Sequence, residues 1–164
     1  MFKKFLTTPE RSKWVLSEKK SGKCIFCEIV KGNEKIPEMK IYENDFAMVL
    51  MNMYPYNSGH IMVVPKKHNE NLEDLNDEEL SELFKIVRKS IKLLKKSLKA
   101  EGFNFGANIG GKVAGGSIKH LHVHIVPRFE GELGFIDIIS ETKAIPETVE
   151  QTYKRIMKNV DILK

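Results

Sequence analysis

Three histidines, His120, His122 and His124, alternate with Leu121, Val123 and Ile125 in the stretch HLHVHIVPR, and they are three of only five in the chain. Alternation is the period of a β-strand, whose successive side chains point to opposite faces. The reading is a strand with three imidazoles on one face, about 7 Å apart, and three aliphatic side chains anchoring the other face in a core. Near neutral pH an imidazole binds a metal ion, shuttles a proton or attacks an electrophile. A metal site built on histidines alternating along a strand also needs a carboxylate soon after them; here Glu130 comes late, with Pro127 and Phe129 between. The remaining use is nucleophilic: an imidazole nitrogen attacks phosphorus and splits one displacement into two steps. The preceding loop, GKVAGGSIK, suits that chemistry. Gly110, Gly111, Gly115 and Gly116 let backbone N–H groups approach phosphate oxygens, and Ser117 can donate to a leaving oxygen. A glycine-rich loop is also an ordinary hairpin connection, so it gains this meaning only beside the histidines.

The two cysteines, Cys24 and Cys27, form the CIFC motif. A pair at this spacing suggests a metal site or a redox couple rather than a structural disulfide.

Several elements must position these groups. Residues 1–23 read as a polar arm, docked by the sole tryptophan, Trp14, and residues 24–164 as one domain with a C-terminal helix. IYENDFAMVLMN reads as two strands joined at Asn44-Asp45. HIMVVPKKH, residues 60–68, reads as a strand that Pro65 ends. Asn76 and Glu79 form a capping-box pattern. Leu80, Leu83, Phe84, Val87, Ile91, Leu94 and Leu98 then give one apolar helical face, with Gly102 as the stop. Lys85, Arg88, Lys89, Lys92, Lys95 and Lys96 occupy the remainder, as a solvated surface or a phosphate-binding one. FNFGANIG, residues 103–110, reads as a strand, and a last helix is expected from Pro146. Strands and a long helix mixed along the chain indicate an α+β domain with an antiparallel sheet.

The chain has 164 residues, 41% hydrophobic and 30% charged, with a formal net charge of +5. This fits one globular domain. No apolar run is long enough for a membrane span. No nucleic-acid-binding motif accompanies the basic charge. The N-terminus lacks a signal peptide's apolar segment, so a cytoplasmic location is expected.

His120-Leu121-His122-Val123-His124-Ile125-Val126 resembles the signature of the histidine triad (HIT) superfamily of nucleotidyl hydrolases and transferases. CIFCEIVKGNEKIP, VLMNMYPYNSGHIMVVPKKH and NFGANIGGKVAGGSIKHLHVHIVPR resemble that family's opening, central strands and catalytic segment. With GGS before the triad, and VPR and GFIDII…IP after it, the pattern most resembles the bacterial branch of diadenosine tetraphosphate phosphorylases and hydrolases. The resemblance implies a five-stranded antiparallel meander with helices packed on it. It also implies a homodimer extending the sheet. His122 would attack the α-phosphorus of a dinucleoside polyphosphate and carry the nucleotidyl group. His124 would contact the phosphate, Ser117 the leaving group, and His60 would support the site. Asn52 would hold the ribose hydroxyls and Asn108 the phosphate or leaving group. Gly115 and Gly116 would line the phosphate site, and Ile25, Phe26, Ile29, Leu50 and Met53 the base pocket. Gly116 stands where several members have glutamine, so a leaving-group contact is missing or replaced by backbone. The same family implies a structural zinc on Cys24, Cys27, His68 and His120, and no organic cofactor. An adenosine phosphoramidase and a nucleotide sensor with little turnover are the alternative activities.

Overall fold

The computed structural model describes residues 23–34, 36, 38–132 and 145–164. Trp14 and nearly all of the N-terminal arm lie outside these residues, as does most of GFIDIISETKAIP.

Five strands form one antiparallel sheet in the order β1-β2-β3-β5-β4. They are β1 (Lys40–Glu43), β2 (Ala47–Met51), β3 (Ile61–Pro65), β4 (Gly102–Gly106) and β5 (Val123–Arg128). The β1–β2 turn is made by Asn44, whose Oδ1 accepts from the N–H groups of Phe46 and Ala47 at 3.0 and 2.9 Å. This is the local side-chain hydrogen bonding that makes asparagine a turn former.

All residues of β2 and β3 are buried, because both faces of the sheet are covered. Ala47, Val49, Met51, Ile61 and Val63 face one core, under two helices. These are α2 (Asp77–Leu98) and α3 (Val149–Met157). Met48, Leu50, Met62 and Val64 face a second core with Phe26 and Ile29 of α1 (Ile25–Val30). An alternating strand sandwiched this way reads as a continuous apolar run.

Helix α2 begins as expected: Asn76 accepts from the Glu79 N–H, and the Glu79 carboxylate accepts from the Asn76 N–H. Its buried face differs from the expected one. Leu83, Ile86, Val87, Ser90, Leu93, Leu94 and Leu98 turn inward, whereas Phe84 is 42% exposed and Leu80 and Ile91 are only partly covered. The helix also stops earlier than Gly102. Lys99 takes a left-handed conformation at φ 58°, and Gly102 opens β4. Nearby, Gly59 has φ +79°, and a Cβ there would lie 2.2 Å from Leu98 Cδ1. Only glycine lets the β2–β3 connection pass this close to the end of α2.

Helix α3 starts at Val149, capped by Thr148 and Gln151, not at Pro146. Its Tyr153 hydroxyl donates to the Lys40 carbonyl at 3.0 Å, tying it to β1. The segment read as a strand to residue 110 leaves the sheet after Gly106. Residues Gly111–Ala114 of the glycine-rich loop form one short 3-10 turn. No helix among the described residues is long and apolar enough to cross a membrane.

Candidate active site and metal centre

The histidine segment enters the sheet later than its alternation suggests. Strand β5 begins at Val123, so only His124 of the three lies in the ladder. Main-chain bonds elsewhere hold the rest. Leu121 N–H donates to the Asn69 carbonyl at 2.6 Å. His120 Nε2 donates to the Pro65 carbonyl at 2.8 Å. The rings accordingly are not evenly spaced: the centroids of His122 and His124 are 4.7 Å apart.

His120, His122 and His60 each have a tautomer set by a peptide group that can only donate or only accept, and His124 takes its own from His60. The His122 Nδ1 lies 2.7 Å from the His120 carbonyl oxygen. A carbonyl only accepts, so Nδ1 carries the proton and Nε2 carries the lone pair. His122 is 6% exposed, and burial holds its pKa below the ordinary imidazole value. The ring is therefore neutral at pH 7, with a nucleophilic nitrogen.

His60, which its place at a strand start would put near the surface, is completely buried. Its Nδ1 accepts from the Tyr56 N–H at 3.1 Å. Its Nε2–H therefore donates to His124 Nδ1, 2.9 Å away. That leaves the His124 proton on Nε2, a donor suited to a phosphate oxygen. Burial, then the proximity of His124 and His122, pushes the His60 pKa down to about 3. The Asn52 Oδ1 accepts from the Tyr54 N–H at 2.8 Å; its amide nitrogen lies 3.3 Å from His60 Nε2, a contact between two hydrogen-bearing atoms in this tautomer and not a hydrogen bond.

One cleft gathers most of the expected site residues. His122, His124, Ser117, Gly115, Asn108 and Asn52 line it, together with Ile25, Phe26, Ile29, Leu50 and Met53. Gly116 does not line it. Its N–H is bonded to the Gly111 carbonyl at 2.8 Å, and a Cβ there would come 3.1 Å from that oxygen and 3.3 Å from Asn108 Cβ. His60 lies behind the cleft, reaching it through His124. The cleft also includes Ile36, Glu38, Met39, Met51, Tyr54, Tyr56, Met62 and Ile118, which the sequence reading did not single out. Met62 enters the cleft because it stands opposite both Leu50 and His124 in the register.

Cys24, Cys27, His68 and His120 converge on a second point, with their donor atoms all within 4.8 Å of one another. Cys24 Sγ lies 3.3 Å from His120 Nδ1, and Cys27 Sγ lies 3.2 Å from His68 Nδ1 and 3.7 Å from His120 Nδ1. Donors at the edges of a tetrahedral zinc site with ordinary bond lengths are about 3.6 Å apart. The His120 Nε2–H bond to Pro65 leaves Nδ1 aimed at the sulfurs, the outer-sphere orientation that a ligating imidazole needs. Burial pushes the Cys24 thiol up to about 11, so a cation is required to draw out the thiolate. The donor set fits zinc.

The comparisons with known proteins agree with this geometry. The HIT domain family model matches residues 33–131. An AP-4-A phosphorylase of Mycobacterium tuberculosis is 45% identical over 103 residues, 63% of this chain and 53% of that protein, so the match spans about half of that relative's length. A HIT-like protein of Methanocaldococcus jannaschii is 42% identical over 66% of this chain and 81% of its own. Among solved structures, a Zn-bound histidine triad family protein from Mycobacterium smegmatis superposes with a TM-score of 0.71 at 28% identity, over 87% of this chain and 96% of that one. A histidine triad nucleotide-binding protein from Sulfolobus tokodaii gives 0.70 at 34% identity, over 86% and 94%. The triad, the five-stranded sheet and these matches agree: the chain belongs to the HIT domain family.

Proposed function

We propose that the protein cleaves dinucleoside polyphosphates such as diadenosine tetraphosphate at the α-phosphorus, through a nucleotidyl group carried on His122. The observation that supports this best is the His122 Nδ1 bond to the His120 carbonyl, which leaves Nε2 unprotonated in a buried, neutral ring. Nε2 attacks the α-phosphorus; the bond to the bridging oxygen breaks, and the polyphosphate leaves with that electron pair. Water or inorganic phosphate then attacks the same phosphorus, and the P–N bond breaks to restore the imidazole. His124 Nε2–H steadies a non-bridging oxygen, with its tautomer held by His60. Ser117 and Asn108 meet the leaving side, and Gly115, whose own N–H is bonded to the Lys112 carbonyl at 3.1 Å, lines the phosphate site without a side chain. Asn52 meets the ribose, and Ile25, Phe26, Ile29, Leu50 and Met53 clasp one base by its faces.

Zinc on Cys24, Cys27, His68 and His120 supplies a structural tie between α1 and the catalytic segment, and the phosphorus chemistry rests on His122. The protein works as a homodimer joined at the β4 edge, where Phe105 is 56% exposed. Its two cysteines form no disulfide, which suits a reducing cytoplasm.

Product analysis on diadenosine tetraphosphate tests the reading. ADP and ATP formed only with phosphate identify a phosphorylase, and AMP and ATP formed without it a hydrolase. Cleavage by neither route refutes the proposal. His122→Asn abolishes turnover and the trappable nucleotidyl-protein; near wild-type rates in that variant would exclude His122 as the nucleophile.

A further inference from the structure

A dinucleotide brings two bases, and the apolar wall beside α1 accommodates one. The rings around the nucleophile form a series. Between centroids, Phe26 lies 5.3 Å from His122, His122 lies 4.7 Å from His124, and His124 lies 6.3 Å from Tyr56. The two histidines are thus bracketed by an aromatic ring at each end. Phe26 is buried in the base wall, whereas Tyr56, in the β2–β3 connection, is 52% exposed.

Tyr56 is nonetheless held in place. Its ring stacks on His60 at 4.9 Å with the planes 29° apart, and its N–H is bonded to His60 Nδ1. One face is therefore spent on a buried imidazole, while the ring still lines the cleft. The floor beneath differs between the two ends. A row of paired positions crosses the sheet on this face: Leu50, Met62, His124 and Gly106. Leu50 and Met62 give the first half an apolar floor. Gly106, beyond His124, has no side chain, and a Cβ there would meet nothing within 4 Å. The His124 end of the ring series therefore has an open floor at Gly106 and a fixed aromatic ring, Tyr56, 6.3 Å from His124.

We propose that Tyr56 is the stacking platform for the base of the leaving nucleotide, a second base subsite across His122 and His124 from the apolar pocket. The inference rests on the proposed dinucleoside polyphosphate substrate. Stacking on a ring face accepts any nucleobase, so this subsite selects for the presence of a second base and not for its identity.

The test compares kcat/KM for diadenosine tetraphosphate with that for adenosine 5′-tetraphosphate, which has the same phosphate chain and no second base. Wild-type protein favours the dinucleotide by about tenfold, the order expected of one base stacked on an aromatic side chain. Tyr56→Leu keeps an apolar cover on His60 but removes the aromatic face, and the ratio falls to about one. Tyr56→Phe restores the wild-type ratio. A Tyr56→Leu variant that loses activity equally on both substrates would show that Tyr56 acts only through His60, and would overturn the inference. So would a ratio that Tyr56→Leu leaves at the wild-type value. If the wild-type protein turns over neither substrate, the proposed function fails and the subsite with it; turnover of both without dependence of the ratio on Tyr56 removes the subsite alone.

Discussion

His60 makes the stability of this protein depend on pH in a calculable way. Its ring is completely buried, and its pKa in the folded protein is about 3. In the unfolded chain a histidine titrates near 6.5, at about 1.4 kcal/mol per unit of difference. Above that value both states hold a neutral ring, and His60 contributes no pH dependence. As pH falls below 6.5 the unfolded state takes up a proton that the folded state refuses, so stability is lost at about 1.4 kcal/mol per pH unit until pH nears 3. Between pH 7.5 and 5.0 the loss assigned to this one ring is about 2 kcal/mol. Urea denaturation of wild-type and His60→Gln protein at both pH values measures it. The difference between the two pH dependences measures His60 together with its coupling to His124 and His122. The expected result is a fall about 2 kcal/mol smaller in His60→Gln. Equal falls would show that His60 is protonated in the folded protein, and would break the inferred chain from the Tyr56 amide to the His124 proton.

Other outcomes follow from the same geometry. Elemental analysis should find one zinc per chain; Cys27→Ala, which removes the sulfur close to both His68 and His120, loses the metal and at least about 3 kcal/mol in denaturation experiments. Full zinc content in that variant would exclude the four-residue site. Gly59→Ala meets Leu98 at 2.2 Å with φ +79° and costs about 3 kcal/mol. Gly131→Ala, at φ +70° with nothing within 4 Å, costs about 1 kcal/mol, and equal urea midpoints for the two would disprove the role of the contact. Asn57→Ala removes a buried amide that donates to the Pro127 carbonyl at 2.8 Å and to Glu132 at 2.7 Å. It should lower stability by about 2 kcal/mol, and a thermal melt unchanged from wild type would count against those bonds.

The fold was legible wherever local chemistry decided it. The Asn44 turn and the Asn76–Glu79 cap are local hydrogen-bond arrangements, and both form as read. The buried face of α2 was harder, because apolar residues occupy two overlapping stripes, and packing on the sheet selects the one with Ile86 and Leu93 over the one with Leu80 and Ile91. Its end at Lys99 was illegible, since lysine carries no signal for a left-handed backbone. The histidine alternation picked out residues that the fold gathers at one cleft and one donor cluster, but it misplaced the start of the strand. The carbonyls of Pro65 and Asn69, distant in sequence, draw His120 and Leu121 out of the ladder. Tyr56 was missed for a similar reason: nothing in YPYN tells that its ring lies on His60.

The tautomers of His120, His122 and His60 are dictated by peptide groups: the Pro65 carbonyl, the His120 carbonyl and the Tyr56 amide. Peptide groups are the same whatever the side chain, except at proline. The proton arrangement around His122 is thus insulated from most point mutation. Side-chain substitutions along the cleft leave the lone pair of His122 on the same nitrogen. His124 is the exception. Its proton is assigned by another side chain, so it is the one position in the triad where a single substitution elsewhere can reset the chemistry.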